Sequence, residues 1–254
     1  MPWNPAVYNQ FKEERFAPFY DLLALIKVQP GLSVIDLGCG TGELTRKLAE
    51  ALPRSIVTGV DSSAQMLEES AKYTRPGMEF IRQDIEETIE GDKKWDVVFS
   101  NAALQWIEGH KSLFPAAISL VKPGGQFAVQ IPSNHDHATH RLIRSIAASE
   151  PFKTALGGWN RQSPVLHMEE YAQILFEQGG RNITIFEKAY PHVLADASAL
   201  SCWTQGTALV PYMERLPEEL KSKFLQEYET QVKNIFPGAP IFYPFKRILM
   251  YAVF

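Results

Sequence analysis

The chain has 254 residues, 45 per cent hydrophobic and 21 per cent charged, which suits one large α/β domain or a core with a smaller appended cap. A net charge of -4 argues against broad phosphate-backbone binding, and no uninterrupted apolar run approaches the roughly 18 residues of a membrane span. Two cysteines without paired spacing, Cys39 and Cys202, exclude a disulfide framework and a cysteine zinc motif.

After an amphipathic stretch, Phe16 to Val28, β-rich runs alternate with helical patterns for more than a hundred residues. Strands are predicted at Ser33 to Leu37, Ile56 to Val60, Met78 to Arg82, Trp95 to Ser100 and Gln126 to Ile131. Helices fall between them at Glu43 to Leu52, Ala64 to Tyr73 and Lys111 to Leu120, with a short turn after Asp84. Strict alternation of this kind predicts a parallel sheet covered on both faces.

The second half loses that rhythm. Helices are predicted at Arg141 to Ala148 and Met168 to Glu177, a turn at Gly157-Gly158, and a strand at Asn182 to Ala189. An aromatic, helical stretch, Ser198 to Ile235, is broken by Pro211 and Pro217, and the apolar run Phe245 to Phe254 reads as a final strand. The expected fold is a doubly wound, mostly parallel seven-stranded α/β sheet with a helical cap inserted before its last strand. The expected division is 1–32 as N-terminal helices, 33–197 as core, 198–244 as cap and 245–254 as the closing strand.

Between the first strand and its helix lies Asp36-Leu37-Gly38-Cys39-Gly40-Thr41-Gly42. Glycines at alternate positions let the backbone turn sharply and approach a ligand where a side chain would collide, which points to a cofactor near residue 40. Ligands in such sheets sit beyond the carboxyl ends of the strands. The next strand ends deliver Asp61-Ser62-Ser63, Asp84-Ile85 and Asn101-Ala102 with Trp106 close behind. Asp61, about 20 residues past the loop, can accept two hydrogen bonds from a ribose diol. The spacing Gly38-x-Gly40-x-Gly42 is not the GxGxxG of dinucleotide folds, so a pyrophosphate cradle and an NAD-dependent oxidoreductase are disfavoured.

With these residues the chain resembles the class I S-adenosylmethionine-dependent methyltransferases, whose first motif is D/E-x-G-x-G-x-G. Pro123-Gly124-Gly125 before the fifth strand is a further match. The resemblance implies a Rossmann-like methyltransferase fold in which Gly38 and Gly40 line the methionine part of S-adenosyl-L-methionine. It further implies that Asp61 holds the ribose, Asp84 reaches the adenine, and Asn101 and Ala102 face the sulfonium. Ser62, Met66, Ile85 and Trp106 complete the expected contacts, and Asp36 reads either as one more or as an acceptor for neighbouring backbone donors.

A closer resemblance, to the trans-aconitate methyltransferase group, extends to both ends of the chain. It rests on Trp3, Tyr8, Arg15, Asn101-Ala102-x-Leu104-Gln105-Trp106-x-x-x-His110 and Gln130-x-Pro132-x-Asn134, then on Trp203-x-x-Gly206-Thr207-x-Leu209-x-Pro211-Tyr212 and Pro244-Phe245-x-Arg247. Val210 departs from the group, where an arginine is expected before Pro211-Tyr212. The resemblance implies esterification of a small carboxylic acid, with Tyr8 and Arg15 folding over the cofactor. Trp3, His110, Trp203, Tyr212 and Arg247 would hold the acid. An ionised carboxylate needs no general base, so no catalytic side chain is assigned.

The nearest enzymatic rival is methylation of an acid carried as a thioester on a carrier protein. A cofactor-binding regulator without activity is a third class, disfavoured by the set of cofactor residues. The cluster His135-Asp136-His137 with His140 reads as a solvated loop, and no metal is expected. A cytoplasmic monomer without nucleic-acid or membrane partners is expected, since the first residues lack a basic region followed by an apolar one.

Overall fold

The structure, a computed structural model, describes residues 12–254, with side chains described from Phe16 onward. Its strands are β1 (Ser33–Leu37), β2 (Ile56–Asp61), β3 (Met78–Arg82), β4 (Trp95–Asn101), β5 (Val121–Pro132), β6 (Arg181–Leu194) and β7 (Ile241–Val253). They form one sheet in the order β3-β2-β1-β4-β5-β7-β6. β1 to β5 pair in parallel, and β7 runs antiparallel to β5. The chain winds outward from β1 to β3 and then crosses back to β4, so its direction across the sheet reverses between β1 and β4. That reversal opens a crevice at the carboxyl ends of these two strands.

The helices are α1 (Lys12–Leu23), α2 (Glu43–Ala51), α3 (Ala64–Ser70), α4 (Ile85–Ile89), α5 (His110–Ser119), α6 (Ala138–Ala147), α7 (Phe152–Ala155), α8 (Met168–Glu177), α9 (Ala197–Gln205), α10 (Val210–Arg215) and α11 (Glu218–Ile235). Packing divides the chain into two compact units. The first holds Phe16–Pro132, Pro164–Lys188 and Arg247–Phe254, and the second holds Ser133–Ser163 and Ala189–Lys246.

The core of the first unit joins the sheet to α5 and α8 through Val98, Phe114, Phe127, Val129, Tyr171 and Leu175, all fully buried. Such apolar side chains each contribute about 1.5–3 kcal/mol by leaving water. In the second unit α11 packs on α6 and α9. Its core is aromatic: Phe152, Trp203, Tyr212, Phe224, Tyr228, Tyr243 and Phe245.

Three strands outrun their predicted limits by more than one residue. β5 begins at Val121 because Val121 already pairs with Trp95, and the register slips by a bulge before Val97 meets Gln126. β6 and β7 continue through Pro191 and Pro244, residues that mark strand ends in the sequence pattern. Among the described residues, no helix is long and apolar enough to cross a membrane.

Candidate functional site

The loop after β1 is tied to β2, for the Gly38 and Cys39 N–H groups both donate to the Val60 carbonyl at 2.9 Å. Gly38, Gly40 and Gly42 all take positive φ, at 78°, 56° and 73°. The reasons they lack side chains differ. A Cβ on Gly38 would lie 2.2 Å from the Ala103 Cβ, and one on Gly42 would lie 2.7 Å from the Phe80 ring and 2.8 Å from the Ser70 Cβ. A Cβ on Gly40 would meet nothing within 4 Å among the described residues, unlike one on Gly38 or Gly42. α2 starts at the next turn with Gly42 as its N-cap, leaving the positive end of the helix beside the loop.

Asp61 closes β2 and organises the loop. Its Oδ2 accepts the Gly40 N–H at 2.9 Å and its Oδ1 accepts the Ser63 N–H at 2.9 Å. Each oxygen keeps a second lone pair for a further donor. Ser62 is exposed, and Met66 lies half-buried in the first turn of α3, its N–H donating to Ser63 Oγ. Beyond β3, Asp84 caps α4 by accepting the Glu86 N–H at 2.8 Å through Oδ1, and Ile85 is buried behind the Gly38 backbone.

Asp36 is buried inside the strand and accepts the Thr45 hydroxyl at 2.6 Å. Burial pushes its carboxyl up to about 7, partly offset by the Thr45 bond, while the charge of Asp61 adds to the rise. Cys39 is buried too, and desolvation beside Asp36 and Asp61 raises its thiol, leaving a protonated small side chain and no nucleophile.

At the end of β4, Ala102 stands in the left-handed region, φ 57°, a conformation that costs a residue with a Cβ about 1 kcal/mol or more. Its N–H donates to the Gln130 carbonyl at 2.8 Å, and its own carbonyl accepts the Gln105 amide at 2.6 Å. Gln130, wholly buried on β5, also donates from Nε2 to Asn101 Oδ1 at 2.9 Å. Its Oε1 in turn accepts Arg247 Nη1 at 2.9 Å. Gln130 stands in one of the sequence blocks read above but carries no site role there, because only β-sheet register reveals that it joins Asn101 to Arg247.

The structure thus brings Asp36, Gly38, Gly40, Asp61, Asp84 and Asn101 to the carboxyl ends of four strands in the first unit, with Arg247 reached through Gln130. Trp106 follows them, 48 per cent exposed on a short 3-10 turn. His110, at the start of α5, is fully engaged within this unit. Its Nε2 faces the Leu104 carbonyl at 3.0 Å, so that nitrogen carries the proton, and Nδ1 accepts the Tyr171 hydroxyl.

Trp203 and Tyr212 belong to the second unit. Trp203 is buried against His192, Tyr243 and Phe245. The Tyr212 hydroxyl donates to Asn160 Oδ1 at 2.7 Å and accepts the Arg161 N–H at 3.2 Å, while its ring stacks on Phe224. Val210 opens α10. Trp3 and Tyr8 lie outside the described residues, as does the Arg15 side chain.

His137 caps α6 by accepting the Thr139 N–H at 3.3 Å, and burial drives His140 down to about 3. Among the described residues, no group of three or more His, Cys, Asp or Glu side chains could hold a metal ion.

A methyltransferase domain family matches residues 34–125, the segment carrying the glycine loop and the ends of β2, β3 and β4. Similarity to curated proteins extends much further. The chain is 45 per cent identical to a trans-aconitate 2-methyltransferase of Deinococcus radiodurans, across 99 per cent of this chain and 98 per cent of that protein. It is 37 per cent identical to a trans-aconitate 2-methyltransferase of Variovorax paradoxus, across 93 and 91 per cent. Among solved structures, the YcgJ protein of Bacillus subtilis superposes with a TM-score of 0.61 at 13 per cent identity, covering 94 per cent of this chain and 98 per cent of that one. Phosphoethanolamine N-methyltransferase 2 of Haemonchus contortus, in complex with S-adenosyl-L-methionine, gives 0.55 at 17 per cent identity, covering 94 per cent of this chain and 52 per cent of that one. At such identities these two structures speak to the fold alone.

Proposed function

Because the chain belongs to the trans-aconitate 2-methyltransferase family of S-adenosylmethionine-dependent methyltransferases, we propose that it forms the methyl ester of a small, multiply charged carboxylic acid of the trans-aconitate type. The observation that carries the substrate class is the 45 per cent identity over 99 per cent of the chain. A match confined to residues 34–125 would speak only for the cofactor chemistry.

The residues of the first unit fit S-adenosylmethionine. No described residue approaches the Cβ position of Gly40 within 4 Å, where its two neighbouring glycines are packed against protein, and acidic side chains stand at the ends of β2 and β3. In this reading Gly38 and Gly40 line the methionine portion, Asp61 accepts the ribose hydroxyls, and Asp84 and Ile85 flank the base. Asn101, Ala102 and Trp106 border the reacting methyl. When bound, the cofactor supplies a methyl group on a sulfonium, already activated toward an oxygen nucleophile.

The chain's own task is then to hold an anion in line and keep water from it. A carboxylate with a pKa of roughly 4 is ionised at neutral pH and needs no base to take its proton. Arg247 offers the acid a planar fork of donors, which a lysine cannot reproduce. Trp3, Tyr8 and Arg15 complete the proposed set around acid and cofactor, whereas His110, whose two ring nitrogens are taken by Leu104 and Tyr171, has no donor left for the acid.

The test is incubation with S-adenosylmethionine and a panel of di- and tricarboxylic acids, followed by mass spectrometry of the products. A singly methylated ester of one acid is expected. Cofactor binding without any ester would overturn the substrate class, and absence of cofactor binding would overturn the whole reading.

A further inference from the structure

We propose that Gln130 is a positioning residue that fixes the polarity of the Asn101 side chain, so that Asn101 presents an N–H donor to a carboxylate at the carboxyl end of β4. The inference rests on the methyltransferase reading above and names a group through which that site holds its ligands.

The argument runs from donor and acceptor capacity. A guanidinium has donors only, so the Gln130 atom at 2.9 Å from Arg247 Nη1 must be the amide oxygen. The Gln130 NH2 therefore faces Asn101 and donates to it at 2.9 Å, which forces Asn101 to turn its oxygen inward. The Asn101 NH2 is left on the outer side, where it makes no hydrogen bond among the described residues.

An amide orientation is ordinarily ambiguous, but a chain that begins at arginine reads in one direction only. Gln130 cannot turn its amide over, since that would set its NH2 against the donor-only guanidinium of Arg247 in a wholly buried position. Sheet register supplies the spacing: Asn101 lies opposite Gln130 on β4, and Arg247 lies opposite Pro132 on β7. Residues 130 and 132 share one face of β5, so the Arg247 side chain reaches Gln130 diagonally.

A half-buried N–H donor at a site for anionic acids suits a carboxylate oxygen. Two carboxylates can come there: that of the acid, and that of the amino-acid end of the cofactor. Gln130→Glu distinguishes them. The introduced side chain accepts only, so it retains Arg247 as an ion-pair partner but draws the Asn101 NH2 inward and turns its oxygen toward the ligand.

A rise of about tenfold or more is expected in the KM of the acid or in the Kd of S-adenosylmethionine, and the constant that moves identifies the carboxylate. The melting temperature should stay within a few degrees of the parent. In an Asn101→Ala background, adding Gln130→Glu should change neither constant further, because the group through which it acts is gone. Unchanged constants in the single variant, or the same factor in both backgrounds, would overturn the proposal. Should Gln130→Glu fail to fold, Gln130→Met, which removes the relay without adding charge, should raise the same constant, and no rise would count against it. Failure of the unaltered protein to methylate any acid bears on the substrate reading alone, since the cofactor constant still reports the Asn101 donor.

Discussion

Asp61 holds the Gly40 N–H at 2.9 Å across 21 residues of sequence, so the carboxylate at the end of β2 shapes the loop glycine whose Cβ position no described residue approaches within 4 Å. The same carboxylate anchors Ser63 at the start of α3 through its other oxygen. One residue thereby sets the loop, the helix entry and the proposed ribose contact together.

Asp61→Asn places an NH2 opposite one of these two backbone donors. The lost charge-assisted bond is worth about 1.5–3 kcal/mol, so the Kd of S-adenosylmethionine should rise by roughly tenfold to a hundredfold in isothermal titration calorimetry. An unaltered Kd would remove Asp61 from the cofactor site.

The two glycines that flank Cys39 should separate stability from binding. Gly38→Ala drives a Cβ to 2.2 Å from the Ala103 Cβ, and the protein should lose about 2 kcal/mol or more in urea unfolding. Gly40→Ala meets nothing within 4 Å among the described residues and should cost only the left-handed backbone penalty of about 1 kcal/mol. Its Kd for the cofactor should nevertheless rise by about tenfold or more. Equal stability losses in the two variants would contradict the division of roles between them.

Asp36 should give the fold a distinct pH dependence. Burial lifts its carboxyl to about 7 from the model-compound 3.8, so between these pH values the folded protein keeps a proton that the unfolded chain releases. The stability from this residue is full below about pH 4 and is lost as pH rises through about 7. Asp36→Asn still accepts the Thr45 hydroxyl and removes that slope. Relative to the parent, the variant should gain on the order of a few kcal/mol between pH 4 and pH 8, measured by urea unfolding. A constant difference across that range would show that Asp36 does not titrate there.

Arg247→Lys keeps one donor for Gln130 but loses the planar fork. The KM for the acid should rise by about tenfold or more, with the Kd of the cofactor nearly constant. Unchanged steady-state kinetics with every acid substrate would remove Arg247 from the acid site.

Much of this architecture is legible in the residue order. The alternation of Ser33 to Leu37, Ile56 to Val60 and Trp95 to Ser100 with helical runs predicts the parallel half of the sheet, and the sheet has that form. These signals are local, since side-chain period and glycine spacing act over a few residues. Where two prolines interrupt the pattern, at Pro191 and Pro244, local propensity stops the strands short and pairing with neighbouring backbone carries them on.

Residue order alone puts a glycine loop, Asp61, Asp84 and Asn101 at successive strand ends, because each follows its own strand directly. What each one meets depends on how the strands and helices pack. Gly38 makes room for Ala103, His110 gives both ring nitrogens to Leu104 and Tyr171, and burial raises the Asp36 carboxyl. The line from Arg247 through Gln130 to Asn101 joins residues 117 and 29 positions apart, and register across three strands alone brings them into contact. Propensity and period describe a chain's neighbours in sequence, whereas hydrogen-bond polarity is settled by its neighbours in space.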